Sequence, residues 1–401
     1  MKQAAAMTNT LSELSHATKL LLAVCFLNTL ANSLSAIFIN VFLFRVTEQF
    51  EKVALFNLMM YIAWLPAFIF AGWLSKRVSK RNGLMIGGLA QFLFYLFVFF
   101  LEEKSTEYII SLGILFGFGS GFYWMAVNVL SVDYTQSHNR DWFNSVNGMV
   151  NTISQMLGPL VSGWLIVSYS GLKGYSYIFG TSFILFFVTF LLGFYLPKSS
   201  SDKTFYWKEM MLVHRSKAWR SLTYAFMANA FRGGVISFAI LVWVYSVTRN
   251  ESSLGMFSFM TTSLSLLSYY LIGRYGKSKH RLKYMLYGNI LFSAALIGLV
   301  FEVSWEWLLI YGVISGICIP LFELPFHTIA LNNIEDFDQN GKLRIELVVV
   351  REAAISVGRI ASVFLLYLVY STNEELWLLK ILLVLIIIIG LTPHYFLKSI
   401  R

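Results

Sequence analysis

Apolar segments long enough to cross a lipid bilayer recur along the whole chain. A membrane-spanning helix needs about 20 consecutive, predominantly apolar residues, and twelve segments meet that length. They cover residues 18–45, 52–74, 83–101, 107–131, 143–169, 175–196, 218–246, 253–273, 283–301, 305–331, 344–370 and 375–397. Only 13% of the 401 residues are charged, against about a quarter in a water-soluble domain. The pattern predicts an all-α polytopic membrane protein with twelve transmembrane helices.

Lysine and arginine are distributed unevenly between the connections of these spans. With the N-terminus in the cytoplasm, 22 of the 31 basic residues fall on the cytoplasmic side, 5 on the outer side and 4 within spans. Cytoplasmic connections of membrane proteins are enriched in basic residues. We therefore predict a multi-pass protein of the bacterial cytoplasmic membrane with both termini in the cytoplasm. The same distribution accounts for the net charge of +10, so no nucleic-acid partner is expected.

The sequence matches itself after a shift of about 200 residues. GILFGFGSGFYWMAVN, which begins at Gly113, aligns with GVISGICIPLFELPFH, which begins at Gly312, at an offset of 199. This repeat predicts two pseudo-symmetric six-helix halves, residues 1–196 and 218–401, joined by a polar cytoplasmic linker over 197–217. Two parallel halves with a site between them are a known transporter arrangement.

Two short stretches carry a family resemblance. GWLSKRVSKRNG, residues 72–83, resembles the cytoplasmic motif between spans two and three of the major facilitator superfamily, although Lys76 replaces its Asp. LGPLVSG, residues 157–163, resembles the antiporter-associated Gly-Pro motif. The whole chain resembles a transporter of this superfamily, from a poorly characterised bacterial branch. The resemblance implies alternating access and conformational roles for the motif residues Gly72, Arg77, Arg81, Gly158 and Pro159.

The resemblance also implies that spans one, four, seven and ten line a central cavity. Helical spacing places one polar or small stripe on each of these spans. We predict that the substrate is bound by side chains on three of these stripes, namely Asn28, Asn32, Trp124, Asn128 and Arg232. Other interpretations stay open: the asparagines would serve as interhelical hydrogen-bond pairs, and Trp124 as an ordinary core aromatic residue.

Span ten carries a carboxylate between two prolines. Pro320 and Pro325 flank Glu323, and His327 follows one turn later. Each proline removes a backbone donor and bends the helix, and the freed carbonyls are tolerated where they face a cavity or packed protein. We predict that Glu323, with His327, is the proton-coupling site, and that Arg232 binds an anionic substrate group or serves as the counter-ion of Glu323.

Span eleven contributes a further intramembrane charge network of Arg351, Glu352 and Arg359. An uncompensated charge at the membrane centre costs about 2.5–3.5 kcal/mol or more. Two interpretations compete for all the intramembrane charges. Either arginine–glutamate pairs only stabilise the bundle, or at least Glu323 and Arg232 face a water-filled cavity and handle substrate or protons.

Other function classes lack their sequence signatures. The chain contains no nucleotide-binding glycine-rich loop and no metal-ligand cluster, and nothing groups Ser, His and Asp as a triad. We predict no enzyme activity, no catalytic residues, no cofactor and no metal. The prediction is a secondary active transporter that moves a small molecule by alternating access, proton-coupled, monomeric and favouring export. The alternatives are a flippase for a lipid or amphipathic compound, and a non-transporting membrane sensor derived from a transporter.

Overall fold

The computed structural model describes residues 15–135, 140–198, 204–277, 280–337, 343–372 and 375–398. These ranges are almost wholly helical and contain no strand. The helices are α1 (His16–Thr47), α2 (Phe50–Arg77), α3 (Lys80–Leu101), α4 (Ile109–Asp133), α5 (Arg140–Val167), α6 (Lys173–Gly193), α7 (Trp207–Leu212), α8 (Lys217–Thr248), α9 (Glu251–Tyr275), α10 (Arg281–Phe301), α11 (Trp305–Phe337), α12 (Arg344–Tyr370), α13 (Glu375–Leu391) and α14 (Pro393–Lys398).

The prediction of twelve transmembrane helices is confirmed by α1–α6 and α8–α13. Within the described ranges, ten stretches are long and apolar enough to cross a membrane on those grounds alone. One of them, Lys80–Asp133, contains both α3 and α4, which a 3₁₀ turn joins at Glu102–Tyr108. α9 falls outside this set because 8 of its 25 residues are serine or threonine. The short helix α7 lies in the connection between the halves.

The first helix of each half begins and ends in the same way. α1 and α8 each contain 32 residues, and the hydroxyls of Ser15 and Ser216 accept a hydrogen bond from the backbone as N-caps. Both helices end at a residue with positive φ, Glu48 at 53° and Arg249 at 50°, a conformation that is uncommon outside glycine. The corresponding caps are 201 residues apart, so the repeat extends to local backbone geometry.

The repeat also appears in the way the helices cross. A Cβ atom at Gly113 of α4 would lie 2.7 Å from the carbonyl oxygen of Phe56 in α2. A Cβ atom at Gly312 of α11 would lie 2.6 Å from the ring of Phe257 in α9. Glycine lets two membrane helices approach closely, and here each half uses one at the equivalent crossing.

We call the face of the bundle where α1 begins and α14 ends the terminal face, and the opposite one the distal face. At the distal face the two halves are held together by ion pairs. Arg45 Nη1 lies 2.6 Å from Glu251 Oε1, and the Tyr175 hydroxyl donates to the same oxygen at 2.8 Å. Arg249 and Glu48 form a second pair at 2.6 Å. These contacts close the distal face.

Candidate functional site

A cavity lies between the two halves and consists of two adjoining chambers. The first, of about 510 Å³, is bounded by α1, α2, α4, α5, α8 and α9. The second, of about 520 Å³, is bounded by α5, α8, α9 and α11. Side chains shared by both chambers are Gln155, Ser237, Leu241, Thr261 and Thr262. Toward the terminal face, Trp124 and Tyr269 of the lining are 42% and 40% exposed, so the cavity is open on that side.

The lining of both chambers is uncharged and combines polar groups with a larger share of apolar surface. It combines side-chain amides, hydroxyls and aromatic rings, and none of the lining side chains identified around the two chambers is Asp, Glu, Lys, Arg or His. The amide-bearing members are Asn28, Asn32, Asn40, Asn57, Asn151 and Gln155. The cavity therefore offers hydrogen bonds and flat apolar surface rather than fixed charge.

Three of the five predicted substrate-binding residues line the first chamber, namely Asn28, Asn32 and Trp124. Asn28 Nδ2 donates to Gln91 Oε1 of α3 at 2.8 Å. Asn32 Nδ2 donates to the Asn28 side-chain oxygen at 3.0 Å. Asn128 is not part of the described lining, and its amide donates to the carbonyl of Trp124 one turn earlier.

Arg232, the fifth predicted residue, lies behind the cavity wall. It is 2% exposed and does not line either chamber. Its guanidinium donates to Asn289 Oδ1 of α10 and lies 4.5 Å from the ring centroid of Phe292 and 4.9 Å from that of Phe322. In this conformation the buried Arg232 side chain cannot contact a molecule in the cavity directly.

A series of polar contacts runs from Arg232 through Asn229 and Glu323 to His327. Arg232 Nη2 donates to Asn229 Oδ1 at 3.0 Å, and Asn229 Nδ2 donates to Glu323 Oε1 at 3.2 Å. The other carboxylate oxygen lies 3.0 Å from Nε2 of His327. The side chains of Glu323 and His327 are 24% and 61% exposed. Glu323 follows Ile319, which lines the second chamber, by one helical turn.

The predicted charges of α12 lie beside the same cavity. Arg359 Nη1 is 3.6 Å from Glu352 Oε1. The guanidinium also stands over the rings of Tyr61 and Trp64, at 5.4 and 5.8 Å from their centroids, and both rings line the first chamber. Arg351 interacts electrostatically with Glu352. The aromatic wall of the first chamber is thus backed by a cation.

The basic motif at the end of α2 forms a joint between the halves. Lys76 is buried, and its ammonium lies 2.5 Å from Glu346 Oε1 in α12 and 2.9 Å from the carbonyl of Thr204. Glu346 in turn accepts a hydrogen bond from the backbone N–H of Tyr206 at 2.9 Å. One turn earlier, a Cβ atom at Gly72 would lie 3.1 Å from Val349.

This joint explains why a lysine can stand where the family motif has an aspartate. The connection between the halves presents a carbonyl to position 76 and an N–H to position 346. A cation at 76 donates to the carbonyl, and a carboxylate at 346 accepts from the N–H. With a carboxylate at 76 and a cation at 346, neither backbone group could form its hydrogen bond.

The remaining motif residues fix helix ends and crossings. Arg77 lies over the ring of Trp73 at 4.2 Å. Arg81 donates to the carbonyls of Phe194 and Leu196 at 3.0 and 2.8 Å, beyond the end of α6.

The Gly-Pro pair of α5 lies where the helix meets its neighbours α1 and α9. A Cβ atom at Gly158 would lie 2.5 Å from Ser33 Oγ, and one at Gly255 would lie 2.5 Å from the Pro159 carbonyl oxygen. Pro159 also borders the first chamber.

Four residues of these networks were not predicted from the sequence: Asn229, Asn289, Gln91 and Glu346. Asn229 carried a signal, since it lies 201 residues after Asn28, the offset that relates α8 to α1. Glu346 carried none, because its contact with Lys76 joins positions 270 residues apart.

In the part of the chain that the structure describes, no group of three or more His, Cys, Asp or Glu side chains could hold a metal ion.

The sequence profile of the Major Facilitator Superfamily matches residues 21–336. The chain belongs to the Major Facilitator Superfamily. It is therefore a multi-pass membrane transporter, as its motifs predicted.

Two relatives and one solved structure are similar to this chain. A protein of Bacillus subtilis (strain 168), uncharacterized protein YqgE, is 31% identical over 382 residues, which cover 95% of this chain and 89% of that protein. An uncharacterized protein in the sodM 3' region of Geobacillus stearothermophilus is 36% identical over 160 residues, or 40% of this chain and 75% of that protein. The crystal structure of a bacterial homologue of the iron transporter ferroportin, in an inward-facing state, has a TM-score of 0.70 at 15% identity, covering 98% and 99% of the two chains. That likeness shows the fold alone.

Proposed function

We propose that the protein is a proton-coupled secondary active transporter that moves a small organic molecule across the cytoplasmic membrane as a monomer. Its terminal face lies in the cytoplasm, as the excess of basic residues on that side supports. The closed distal face and the cavity open toward the terminal face then correspond to an inward-facing state. Rocking of the two halves exposes the same cavity to the other side.

The observation that carries the proton coupling is the chain from Arg232 to His327. A carboxylate inside a membrane bundle is functional by default. Glu323 meets two requirements of a coupling site: its side chain is partly exposed, and its charge is compensated by a hydrogen bond from Asn229 and by the nearby His327. Arg232 and Tyr269 are also close enough to interact with its charge. Closure of the terminal face changes the access of water to Glu323, and the proton is exchanged on one side at a time.

Export is the direction that we propose. Its support is the Gly158-Pro159 pair, which resembles the antiporter motif and lies at the crossing of α5 with α1 and α9. Proline bends a helix and removes one backbone donor, and the glycine contact lets the helices slide at close range. In an exporter, proton entry through Glu323 accompanies solute exit.

The test uses inside-out vesicles from cells that produce the protein and a transported compound found by a toxin-sensitivity screen. We expect Glu323→Gln to reduce accumulation driven by the proton gradient to the level of vesicles that lack the protein. Exchange of labelled for unlabelled compound should persist, because exchange requires no net movement of protons. The measurements are accumulation with and without a protonophore, and counterflow.

Glu306→Gln is the matched control, because Glu306 is an exposed carboxylate on the same helix near the distal face. It should accumulate the compound as the wild type does. If Glu323→Gln accumulates the compound normally and keeps its dependence on the proton gradient, the assignment of the coupling site is wrong.

A further inference from the structure

The polar groups of the first chamber divide into those that are already bonded and those that are not. Asn57 donates to Asn40, and Thr29 donates to Asn151, at 2.6 and 2.8 Å. By contrast, the indole N–H of Trp64 and the hydroxyl of Ser258 are buried and have no hydrogen-bond partner among the described residues. A buried polar group without a partner costs about 1–3 kcal/mol.

These two orphan groups lie on opposite sides of the chamber. Trp64 belongs to α2 of the first half, and Ser258, which is 5% exposed, belongs to α9 of the second half. Both line the first chamber, and the Gln155 amide lies where the two chambers meet. A molecule that fills the first chamber can satisfy a donor from one half and a hydroxyl from the other. The volume of about 510 Å³ lies within the range of small-molecule sites.

The electrostatics of the chamber disfavour a charged guest. Transferring an ion from water to a site without a counter-charge is costly, and no charged side chain is part of the described lining. The nearby cation, Arg359, is paired with Glu352 and stands over the rings of Tyr61 and Trp64. A cation stacked on those rings from the chamber side would be repelled by it. The nearby carboxylate, Glu323, already receives a hydrogen bond from Asn229.

We infer that the substrate is an uncharged organic molecule with a flat apolar face and several hydrogen-bonding groups. The flat face stacks on the aromatic wall formed by Tyr61, Trp64 and Trp124. An acceptor of the molecule receives the Trp64 N–H, and another polar group bonds Ser258. This inference rests on the proposed function in that it takes the cavity to be the transport site. Amide-bearing aromatic compounds and aromatic glycosides share this chemistry.

The test measures binding to the purified full chain by its thermal unfolding midpoint, and so requires neither flux nor a proton gradient. Two triplets of probes each keep the ring system and change only the charge. One triplet is N-acetyltryptophanamide, tryptophanamide and N-acetyltryptophan, which are uncharged, cationic and anionic. The other is phenyl glucoside, a phenyl aminoglucoside and phenyl glucuronide. We expect a saturable rise of the midpoint with the uncharged member of at least one triplet and a smaller rise with its charged partners.

The variant Ser258→Ala connects the binding to the chamber. It removes a buried, unpartnered hydroxyl, so the unfolding midpoint of the protein without probe should not fall. The dissociation constant of the stabilising probe should rise about fivefold, the equivalent of one ordinary hydrogen bond. Ser162→Ala is the control, because Ser162 is equally buried and unpartnered but is not part of the described lining.

The inference is overturned if a charged member of a triplet gives the largest rise, if no uncharged member gives any, or if Ser258→Ala binds the probe as tightly as Ser162→Ala does. The binding measurements do not depend on proton-driven transport. The assignment of the coupling site and the inference on the substrate can therefore fail independently of each other.

Discussion

The two halves place an asparagine at equivalent positions and connect it to different chemistry. In the first half, Asn28 of α1 donates to the neutral Gln91 of α3 at 2.8 Å. In the second half, Asn229 of α8, 201 residues later, lies between the guanidinium of Arg232 and the carboxylate of Glu323, at 3.0 and 3.2 Å. The equivalent asparagine thus belongs to a neutral hydrogen-bonded pair in one half and bridges two charged side chains in the other.

The difference separates what the fold requires from what the function requires. The place of Glu323 is held by Trp124 in the first half, at an offset of 199. Because that half packs with an indole there, a carboxylate is not needed to build the helix pair. A neutral amide pair cannot bind or release a proton in the physiological range, whereas a carboxylate is a group that can carry one. We therefore assign coupling to the second half and solute contacts mainly to the first.

The largest effect on stability is expected from removing the buried cation. Arg232→Met should lower the free energy of unfolding by about 3 kcal/mol, because it leaves the side-chain oxygens of Asn229 and Asn289 without the guanidinium that donates to them. Gln91→Leu, the corresponding change in the neutral half, should cost only about 1 kcal/mol. Denaturation in mixed micelles measures both. If the two variants lose the same free energy of unfolding, the charged contacts around Arg232 contribute no more to stability than the neutral contact of Gln91.

An intermediate effect is expected from the two equivalent asparagines. Asn229→Ala should cost about 2 kcal/mol, since hydrogen bonds to charged groups are worth about 1.5–3 kcal/mol, and Asn28→Ala about 1 kcal/mol. Only Asn229→Ala should also shift the pH dependence of transport, because only its amide bonds a carboxylate. The comparison fails if Asn28→Ala shifts the pH profile as much as Asn229→Ala does.

The smallest effect is expected from placing a carboxylate in the neutral half. Trp124 is 42% exposed on the open side of the cavity, so Trp124→Glu should cost about 1 kcal/mol or less. Combined with Glu323→Gln, it should not restore proton-driven accumulation, because Ala31 stands where the second half has Arg232. Restored accumulation in vesicles would show that either half can hold the coupling site.

The sequence was sufficient to predict the helices, the repeat and the neighbourhood of Glu323. These features depend on apolar length and on helical spacing, so the four-residue step from Glu323 to His327 already placed their side chains on one face, and the structure brings them to 3.0 Å. The helical pattern did not single out Asn229, because four-residue steps back from Arg232 fall on Ala228 and not on Asn229. The repeat offset of 201 applied to Asn28 points to it directly.

Contacts between the halves could not be predicted in the same way. Lys76 was counted as a loop residue because it belongs to a basic run, but α2 extends to Arg77 and buries the Lys76 ammonium against Glu346. The pairing of Arg45 with Glu251 at the distal face is of the same kind. Such pairs are set by how two helix bundles dock, and a residue pattern within one helix carries no information on its partner in the other bundle.

The central claim is that Glu323 takes up and releases the transported proton, and infrared difference spectroscopy of the purified protein tests it without any substrate. Spectra recorded as the pH is lowered from neutral into the acid range should contain a carboxylic acid band that is absent in Glu323→Gln and present in Glu306→Gln. If the spectra of wild type and Glu323→Gln superimpose, Glu323 does not titrate over that range, and the coupling site must lie elsewhere.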